Sequence, residues 1–259
     1  MTEIFLSMRG VGFGYAGRSA VVREVDWRMP PGAFHCLLGR SGCGKSTLLK
    51  LAAGLLLPDT GEVTLAGARV RSPGPLTGFV FQSPTLLEWL NVIDNVLLPV
   101  SLQRSPTDAD AAHAEVLLDE LGLEGLGDRY PRQLSGGQQS RVAIARALLT
   151  HPRLLLMDEP FAALDALTRE ELQDSLLAVC RRHGTSVLFV THDISEAVYL
   201  ADHVAVMNKG RIVHEQAIDL GRPRSSDTRH SAGFNTVCAG LRHIMETAGR
   251  RAALEQIQP

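Results

Sequence analysis

Residues 34–49 decide the fold and read Phe34-His35-Cys36-Leu37-Leu38-Gly39-Arg40-Ser41-Gly42-Cys43-Gly44-Lys45-Ser46-Thr47-Leu48-Leu49. The first five residues are mostly apolar and predict a buried strand, whereas apolar residues after Lys45 recur at helical spacing as far as Leu55. A glycine loop between a strand and a helix aims backbone N–H groups and the positive helix end at one point. The stretch therefore predicts a loop that binds a phosphate chain.

Gly39 to Thr47 fits the Walker A pattern, which is glycine, four free positions, then Gly-Lys-Ser/Thr. In such a loop Lys45 reaches the β- and γ-phosphates of a nucleotide, and the Ser46 hydroxyl binds Mg²⁺. A glycine-rich turn without a ligand is the alternative, which the flanking strand and helix disfavour. We therefore expect nine residues to bind nucleotide: Gly39, Arg40, Ser41, Gly42, Cys43, Gly44, Lys45, Ser46 and Thr47.

The composition is that of an ordinary soluble globular protein, with 259 residues, 45% hydrophobic and 21% charged. A formal net charge of −2 gives no general attraction for nucleic acid or an anionic membrane. The four cysteines are far apart and the nine histidines lack metal-ligand spacing, so we expect reduced thiols and no zinc site.

Apolar runs in the chain are all shorter than the roughly 20 residues that a membrane span needs. The start, Met1 to Ile4, lacks the basic and apolar regions of a signal peptide. We therefore expect another chain to hold the protein at any membrane where it acts.

The order of predicted elements indicates an α/β architecture. Residues 4–27 are strand-like, residues 79–81 predict a short apolar strand, and residues 87–150 predict a mostly helical insertion. Short apolar strands return at 154–157, 187–190 and 204–207, with a helix predicted over 168–182. This alternation favours a sheet with a parallel centre and helices on its faces. Ligands are then expected beyond the carboxyl ends of the strands.

Leu154-Leu155-Leu156-Met157-Asp158-Glu159 predicts a buried strand that delivers two carboxylates at its tip. Beside a phosphate loop, Asp158 would hold Mg²⁺ directly or through water, and Glu159 would polarise the attacking water as general base. An acidic turn after a core strand is the alternative. The Walker A loop in the same chain favours the catalytic interpretation.

Leu134-Ser135-Gly136-Gly137-Gln138 opens a second glycine loop, and a helix is predicted to follow it. Ser135 would cap this helix, while Gly136 and Gly137 leave backbone N–H groups accessible to an anion. Because the chain has a single Walker A lysine, we expect a two-fold dimer in which this loop closes on the nucleotide held by the other subunit. A simple capped helix is the alternative.

With these three motifs, the chain resembles the ATP-binding subunit of an ABC transporter over about residues 8–220, and Leu134 to Gln138 matches the family signature. The resemblance implies ATP and Mg²⁺ as cofactors. It also implies an α/β P-loop NTPase fold with a RecA-like core, mainly of parallel sheet, an N-terminal antiparallel β subdomain and a helical signature subdomain. On this basis residues 1–220 form the ATPase domain, with the helical subdomain at about 87–150, and residues 221–259 form a helical tail.

Four further residues take their expected roles from the resemblance. Tyr15 resembles the aromatic that stacks on adenine, and Gln82 the glutamine that contacts Mg²⁺ or water and links hydrolysis to the membrane subunit. Asp165 resembles a residue at the dimer seam, and His192 the switch histidine at the γ-phosphate. Each of the four has an alternative role. These are a packed aromatic for Tyr15, a polar strand end for Gln82, a helix cap for Asp165 and a structural histidine for His192.

The segment after Gln82 is similar to the nitrate, sulfonate and taurine importer ATPases. In that family this region docks a permease helix, so Leu86, Leu87 and Trp89 are candidate contacts. Packing of Trp89 inside the subdomain is the alternative. The resemblance implies a homodimer or ABC ATPase pair, an integral membrane permease, an extracytoplasmic solute-binding protein indirectly, and no nucleic acid. It places the protein peripherally at the cytoplasmic face of the inner membrane.

Two other functions compete with transport. A soluble ABC ATPase acting on nucleic acid or ribosomes usually carries a long coiled-coil insertion or two linked ATPase halves, and this chain has neither. The second competing function is that of a P-loop GTPase or kinase. Asn208-Lys209-Gly210-Arg211 lacks the aspartate that reads guanine and predicts a hairpin turn, and a kinase would leave Leu134 to Gln138 without a purpose.

Overall fold

The structure is a computed structural model that describes residues 4–17 and 19–254. Residues 1–3, 18 and 255–259 of the predicted domain and tail lie outside the described residues. The chain divides into two compact units, one made of the residues up to Gly74 and from Leu188 onward, the other of Pro75–Val187. We call them the first and the second unit.

The strands and helices follow one another in an α/β order. The strands are β1 (Leu6–Phe13), β2 (Val22–Met29), β3 (Phe34–Leu38), β4 (Thr60–Leu65), β5 (Ala68–Arg69), β6 (Thr77–Val80), β7 (Leu154–Asp158), β8 (Ser186–Thr191), β9 (His203–Asn208) and β10 (Arg211–Ala217). The helices are α1 (Lys45–Ala52), α2 (Val92–Ser101), α3 (Asp108–Glu120), α4 (Gly136–Leu148), α5 (Ala166–His183), α6 (Ile194–Leu200) and α7 (Ala232–Leu254).

The first unit contains an antiparallel sheet of order β2-β1-β4-β5. The middle strand β1 pairs with both neighbours, so that Leu6 lies opposite Met29 on one side and Leu65 on the other. All three of these side chains are buried. Apolar residues of β2 alternate with exposed polar ones, which is the pattern of a strand with one buried face.

A second sheet in the first unit positions the phosphate loop. Strand β3 is buried throughout and pairs in parallel with β9, which forms an antiparallel hairpin with β10. Strand β8 lies on the other side of β3. The turn predicted at residues 208–211 is therefore confirmed.

The second unit contains helices α2 to α5 and the parallel strand pair β6 and β7. Strand β7 is buried throughout, in agreement with its apolar sequence. Thr107 and Asp110 form a capping box at the start of α3, which explains why the helix begins there. Among the described residues, no helix combines the length and the apolar character needed to cross a membrane.

Two sequence predictions of element ends were wrong. The apolar spacing placed Leu55 on the first helix, but α1 ends at Ala52 and Leu55 is 44% exposed. Gly54 has a φ of +71°, a left-handed conformation that ends the helical path. The strand predicted to include Phe81 ends at Val80, and the Phe81 side chain is exposed.

Candidate functional site

The Walker A loop joins β3 to α1 with a glycine immediately before the helix. Gly44 has a φ of +108°, and a Cβ on it would lie 2.6 Å from the carbonyl oxygen of Val21. Both the dihedral angle and this contact require glycine. Gly44 is the N-cap of α1 and carries no capping side chain, and the first turn holds no acidic residue, so the positive end of α1 suits an anion.

Lys45 directs its ammonium group into this loop. The side chain is buried, and Nζ donates hydrogen bonds to the carbonyl oxygens of Gly39 at 2.8 Å and Arg40 at 3.1 Å. These contacts keep a positive charge within the turn of the chain. Phosphate oxygens would replace the two carbonyl oxygens as partners of the ammonium.

Tyr15 stands at the edge of an open cavity of about 490 Å³ in the first unit, also lined by Asp59 and Arg211. Its ring packs edge-on against Phe13 with 5.0 Å between the centroids, and its hydroxyl lies 3.4 Å from the Thr47 hydroxyl. Tyr15 therefore lies beside the Walker A helix and is 38% exposed. This exposure leaves part of the ring surface for a planar ligand.

His192 directly follows β8, the neighbour of the strand that feeds the phosphate loop. The Gly39 N–H donates to the carbonyl oxygen of Thr191 at 3.4 Å. His192 is the residue that directly follows Thr191. The Thr191 hydroxyl donates to the buried carboxylate of Glu196 at 2.6 Å, and Asp193 caps α6. Sequence reasoning missed Glu196, whose position one turn into the helix is the signal that would have found it.

Gln82, Asp158 and Glu159 lie in the second unit at the carboxyl ends of two paired strands. Val80 pairs with Met157 in parallel β6 and β7, so the residues that follow leave the sheet along the same edge. Asp158 is buried at the end of β7. Glu159 has a φ of +46°, a left-handed backbone that is uncommon for a residue with a side chain and is concentrated at functional sites.

Ser135 and Gln138 form a capping box at the start of α4. The Gln138 N–H donates to the Ser135 hydroxyl oxygen at 3.2 Å, and the Ser135 N–H donates to Oε1 of Gln138 at 2.9 Å. Ser135 therefore caps the helix, as the sequence predicts. Gly136 is open, since a Cβ there would meet nothing within 4 Å.

Asp165 and the signature glycine Gly137 both lie next to Thr168. It caps α5 by accepting from the N–H of Thr168 at 3.1 Å, and this hydrogen bond lowers the pKa of its carboxyl. A Cβ on Gly137 would lie 2.5 Å from Cγ2 of Thr168. The contact observed for Asp165 is therefore that of a helix cap. Packing against Thr168 requires a glycine at position 137.

Two residues that sequence reasoning missed hold the segment after Gln82. Asn95 is fully buried, accepts from the Leu87 N–H at 2.8 Å and donates to the Leu90 carbonyl at 3.0 Å. The Arg146 guanidinium donates to the carbonyl oxygens of Pro84 at 2.7 Å and Thr85 at 3.0 Å. The available signals were Asn95 in the mainly apolar helix α2 and Arg146 among the apolar residues near the end of α4.

Trp89 lies within this fixed segment and is 73% exposed. Packing of Trp89 inside the subdomain, which the sequence left open, is therefore wrong. An indole held in water by a hydrogen-bonded segment is typical of a contact surface.

The cysteines are buried thiols. All four cysteines are free and buried, and burial raises the pKa of the Cys180 thiol to about 12, so this group stays protonated. No group of three or more His, Cys, Asp or Glu side chains within the described part of the chain has an arrangement that would hold a metal ion.

The predicted site residues are thus shared between the two units. The first unit carries the Walker A loop, Tyr15 and His192, and the second carries Gln82, Asp158, Glu159, Ser135 to Gln138 and Asp165. A buried strand, a glycine loop and a helix beginning at lysine define a P-loop nucleotide-binding protein.

Comparison with known proteins identifies the family. A family model described as ABC transporter matches residues 22–162. The chain is 49% identical over 219 residues to aliphatic sulfonates import ATP-binding protein SsuB 1 of Xanthomonas axonopodis pv. citri, covering 83% of this chain and 87% of the relative. It is 41% identical over 243 residues to SsuB of Pseudomonas putida, covering 94% and 87%. The chain therefore belongs to the ABC transporter family, as an importer ATP-binding subunit that hydrolyses ATP.

Solved structures support the same fold. CbiO1 of Clostridium perfringens, part of the CbiONQ transporter complex, matches with a TM-score of 0.77 and 28% identity over 83% of this chain and 89% of that one. The dimeric bacterial cassette MJ0796 matches with a TM-score of 0.75 and 30% identity over 83% and 100%. The predicted α/β P-loop NTPase fold is confirmed.

Proposed function

We propose that this chain dimerises on ATP and energises a separate membrane permease that imports aliphatic sulfonates. The observation that carries the solute class is the similarity to proteins named as aliphatic sulfonates import ATP-binding proteins, at 40–49% identity over 80–95% of this chain. Nitrate and taurine, which the sequence resemblance also allowed, are the solutes to compare with them.

In the proposed mechanism the Walker A residues bind the phosphates and Tyr15 stacks on adenine. The Lys45 ammonium turns from the carbonyl oxygens of Gly39 and Arg40 to the β- and γ-phosphates. Glu159 accepts a proton from the attacking water as general base, and the His192 imidazole donates a hydrogen bond to a γ-phosphate oxygen. In this proposal the Lys45 ammonium and the His192 imidazole would stabilise the charge that develops on the γ-phosphate.

The proposed Mg²⁺ ligands are Ser46, Gln82 and Asp158. Their hydroxyl, amide and carboxylate oxygens are the hard donors that Mg²⁺ prefers, and Asp158 brings a buried carboxylate to the end of β7. The ion would neutralise charge on the β- and γ-phosphates.

We further propose that the loop from Ser135 to Gln138 binds the γ-phosphate held by the other subunit, with Asp165 at the seam between the subunits. The open Gly136 and the start of α4 supply backbone N–H groups and a positive helix end toward an anion. The dimeric structure of the similar cassette MJ0796 supports the dimerisation part of this proposal.

The segment with Leu86, Leu87 and Trp89 is the proposed permease contact, and Gln82 would relay the state of the site to it. Asn95 and Arg146 hold this segment by backbone hydrogen bonds, so an exposed Trp89 is presented in a defined position. In this proposal the protein is peripheral at the cytoplasmic face of the inner membrane, and an extracytoplasmic solute-binding protein takes part indirectly.

The test is to isolate the chain from detergent-solubilised source membranes and from the soluble fraction and to identify its partners. We expect a multi-spanning permease that Trp89→Ala releases, while Leu102→Ala, which removes a comparably exposed apolar side chain, retains it. Recovery with ribosomes or DNA-bound proteins, and no membrane protein, would contradict the transport role.

A further inference from the structure

The helix α7 follows the tail segment that is anchored on α6, the helix that begins just after His192. The buried Arg224 guanidinium donates to the carbonyl oxygens of Val198 at 3.2 Å and Ala201 at 2.6 Å, near the end of α6. The Arg229 guanidinium lies 3.2 Å above the ring centroid of the buried Tyr199. These charge-assisted and cation–π contacts fix the start of the tail.

The first half of α7 packs on the same helix. Phe234, Cys238 and Leu241 recur at helical spacing and are buried, and α7 contacts α6. The direction of α7 is therefore set by packing before its second half begins.

The second half of α7 lies close to Arg40 of the Walker A loop. Nδ2 of Asn208 donates to the carbonyl oxygen of Ala248 at 2.9 Å. At the next residue, Gly249, a Cβ would lie 3.5 Å from Cζ of Arg40, so the helix backbone packs against the guanidinium of a Walker A residue.

Asn208 also begins the turn that contacts the Walker A loop. The N–H of Gly210 donates to the carbonyl oxygen of Cys43 at 3.0 Å. The chain from Asn208 to Gly210 therefore connects α7 to the Walker A backbone, while Gly249 touches the Arg40 side chain. One direct contact of α7, and one made through this turn, therefore restrict the same loop.

We propose that Asn208 and Gly249 are positioning residues, which hold α7 against Arg40 and thereby preorganise the Walker A loop for ATP. The inference rests on the proposed role of this loop in ATP binding. A loop that is already ordered loses less conformational entropy when ligand binds, so the contact strengthens ATP binding and leaves the chemical step unchanged.

The test measures ATP affinity by equilibrium titration, together with KM and kcat, in the full chain. Asn208→Ala removes the hydrogen bond, and Gly249→Leu places a branched side chain against Arg40. Gly240→Leu is the matched control, because it also replaces a glycine of α7 but a Cβ there would meet nothing within 4 Å.

We expect Asn208→Ala to raise the Kd and KM for ATP about three- to tenfold, the effect of one lost hydrogen bond, with kcat within about twofold. Gly249→Leu should also raise both constants, because its side chain crowds Arg40. Gly240→Leu should bind ATP as the wild type does. Both leucine variants should have a raised melting temperature without nucleotide, since leucine favours helix over glycine. A merely structural role of Gly249 would not combine higher stability with weaker binding.

Unchanged ATP affinity in both Asn208→Ala and Gly249→Leu would overturn the proposal. Lys45→Ala separates this failure from failure of the site itself. Loss of ATP binding in Lys45→Ala with normal binding in the other two variants would overturn only the positioning role. Normal binding in Lys45→Ala would overturn the proposed phosphate site and the positioning role with it.

Discussion

Thr168 occupies the space where a side chain at Gly137 would begin, since Cγ2 of Thr168 lies 2.5 Å from the position of a Gly137 Cβ. This contact joins the start of α4 to the start of α5. It gives Gly137 a packing requirement that is independent of any bound phosphate.

Gly137→Ala is therefore expected to destabilise the protein by about 1–3 kcal/mol, the usual effect of overpacking. Thr168→Ser in the same chain removes only the obstructing methyl group and should restore most of this stability. The measurement is urea unfolding, with Gly136→Ala as control because its Cβ would meet nothing within 4 Å. Equal stability of Gly137→Ala and Gly136→Ala would contradict the packing requirement.

Glu159→Gln removes the proposed base and preserves the shape of the side chain. ATP hydrolysis should fall roughly 10²–10⁴-fold with little change in ATP affinity, because the loss affects proton transfer alone. The variant should accumulate as an ATP-bound dimer in size-exclusion chromatography. Turnover at the wild-type rate would remove Glu159 from the mechanism.

Ser135→Arg places a bulky side chain at the proposed subunit interface. Hydrolysis should stop, while ATP binding to the single subunit stays normal. Ser135→Ala is the control, since it removes the same helix cap, at a cost of about 1 kcal/mol, without adding bulk. Normal hydrolysis by Ser135→Arg would refute the site shared between subunits.

The buried His35 imidazole is expected to make the protein less stable in acid. Burial, and next the repulsion from His203, lower its pKa from 6.5 to about 3, and both ring nitrogens are buried without hydrogen-bond partners. Since the folded pKa is below the unfolded one, the stabilisation is complete above pH 6.5 and declines as the pH falls toward 3.

Between pH 7.5 and pH 5 this histidine should account for a loss of about 2 kcal/mol in the free energy of unfolding. His35→Phe retains an aromatic ring beside Trp27 and should remove that part of the pH dependence. Urea titrations at the two pH values make the comparison. The same loss in the variant and the wild type would assign the acid sensitivity to other groups.

Local sequence predicted the elements whose causes are local. The strand before Gly39, the helix cap at Ser135 and the turn at residues 208–211 all depend on neighbouring residues, and the structure confirms them. The end of α1 was misplaced because the apolar spacing continues to Leu55, whereas the left-handed Gly54 stops the helix.

Contacts between distant segments left no comparable signal. Gly137 meets Thr168, Arg146 holds Thr85, and Gly249 lies against Arg40 only because the tertiary fold brings these residues together. The sequence assigned no tertiary contact to Gly137, Arg146 or Gly249. Packing therefore decides these roles, which a single sequence cannot specify.

In the proposed function, ATP hydrolysis by this chain drives sulfonate import. The most direct measurement is uptake of a radiolabelled aliphatic sulfonate by source cells that lack the chain and are complemented with wild type or Glu159→Gln. We predict that wild type restores uptake and that Glu159→Gln leaves it at background. Sulfonate uptake that is the same with the wild type, with Glu159→Gln and without the chain would contradict the claim.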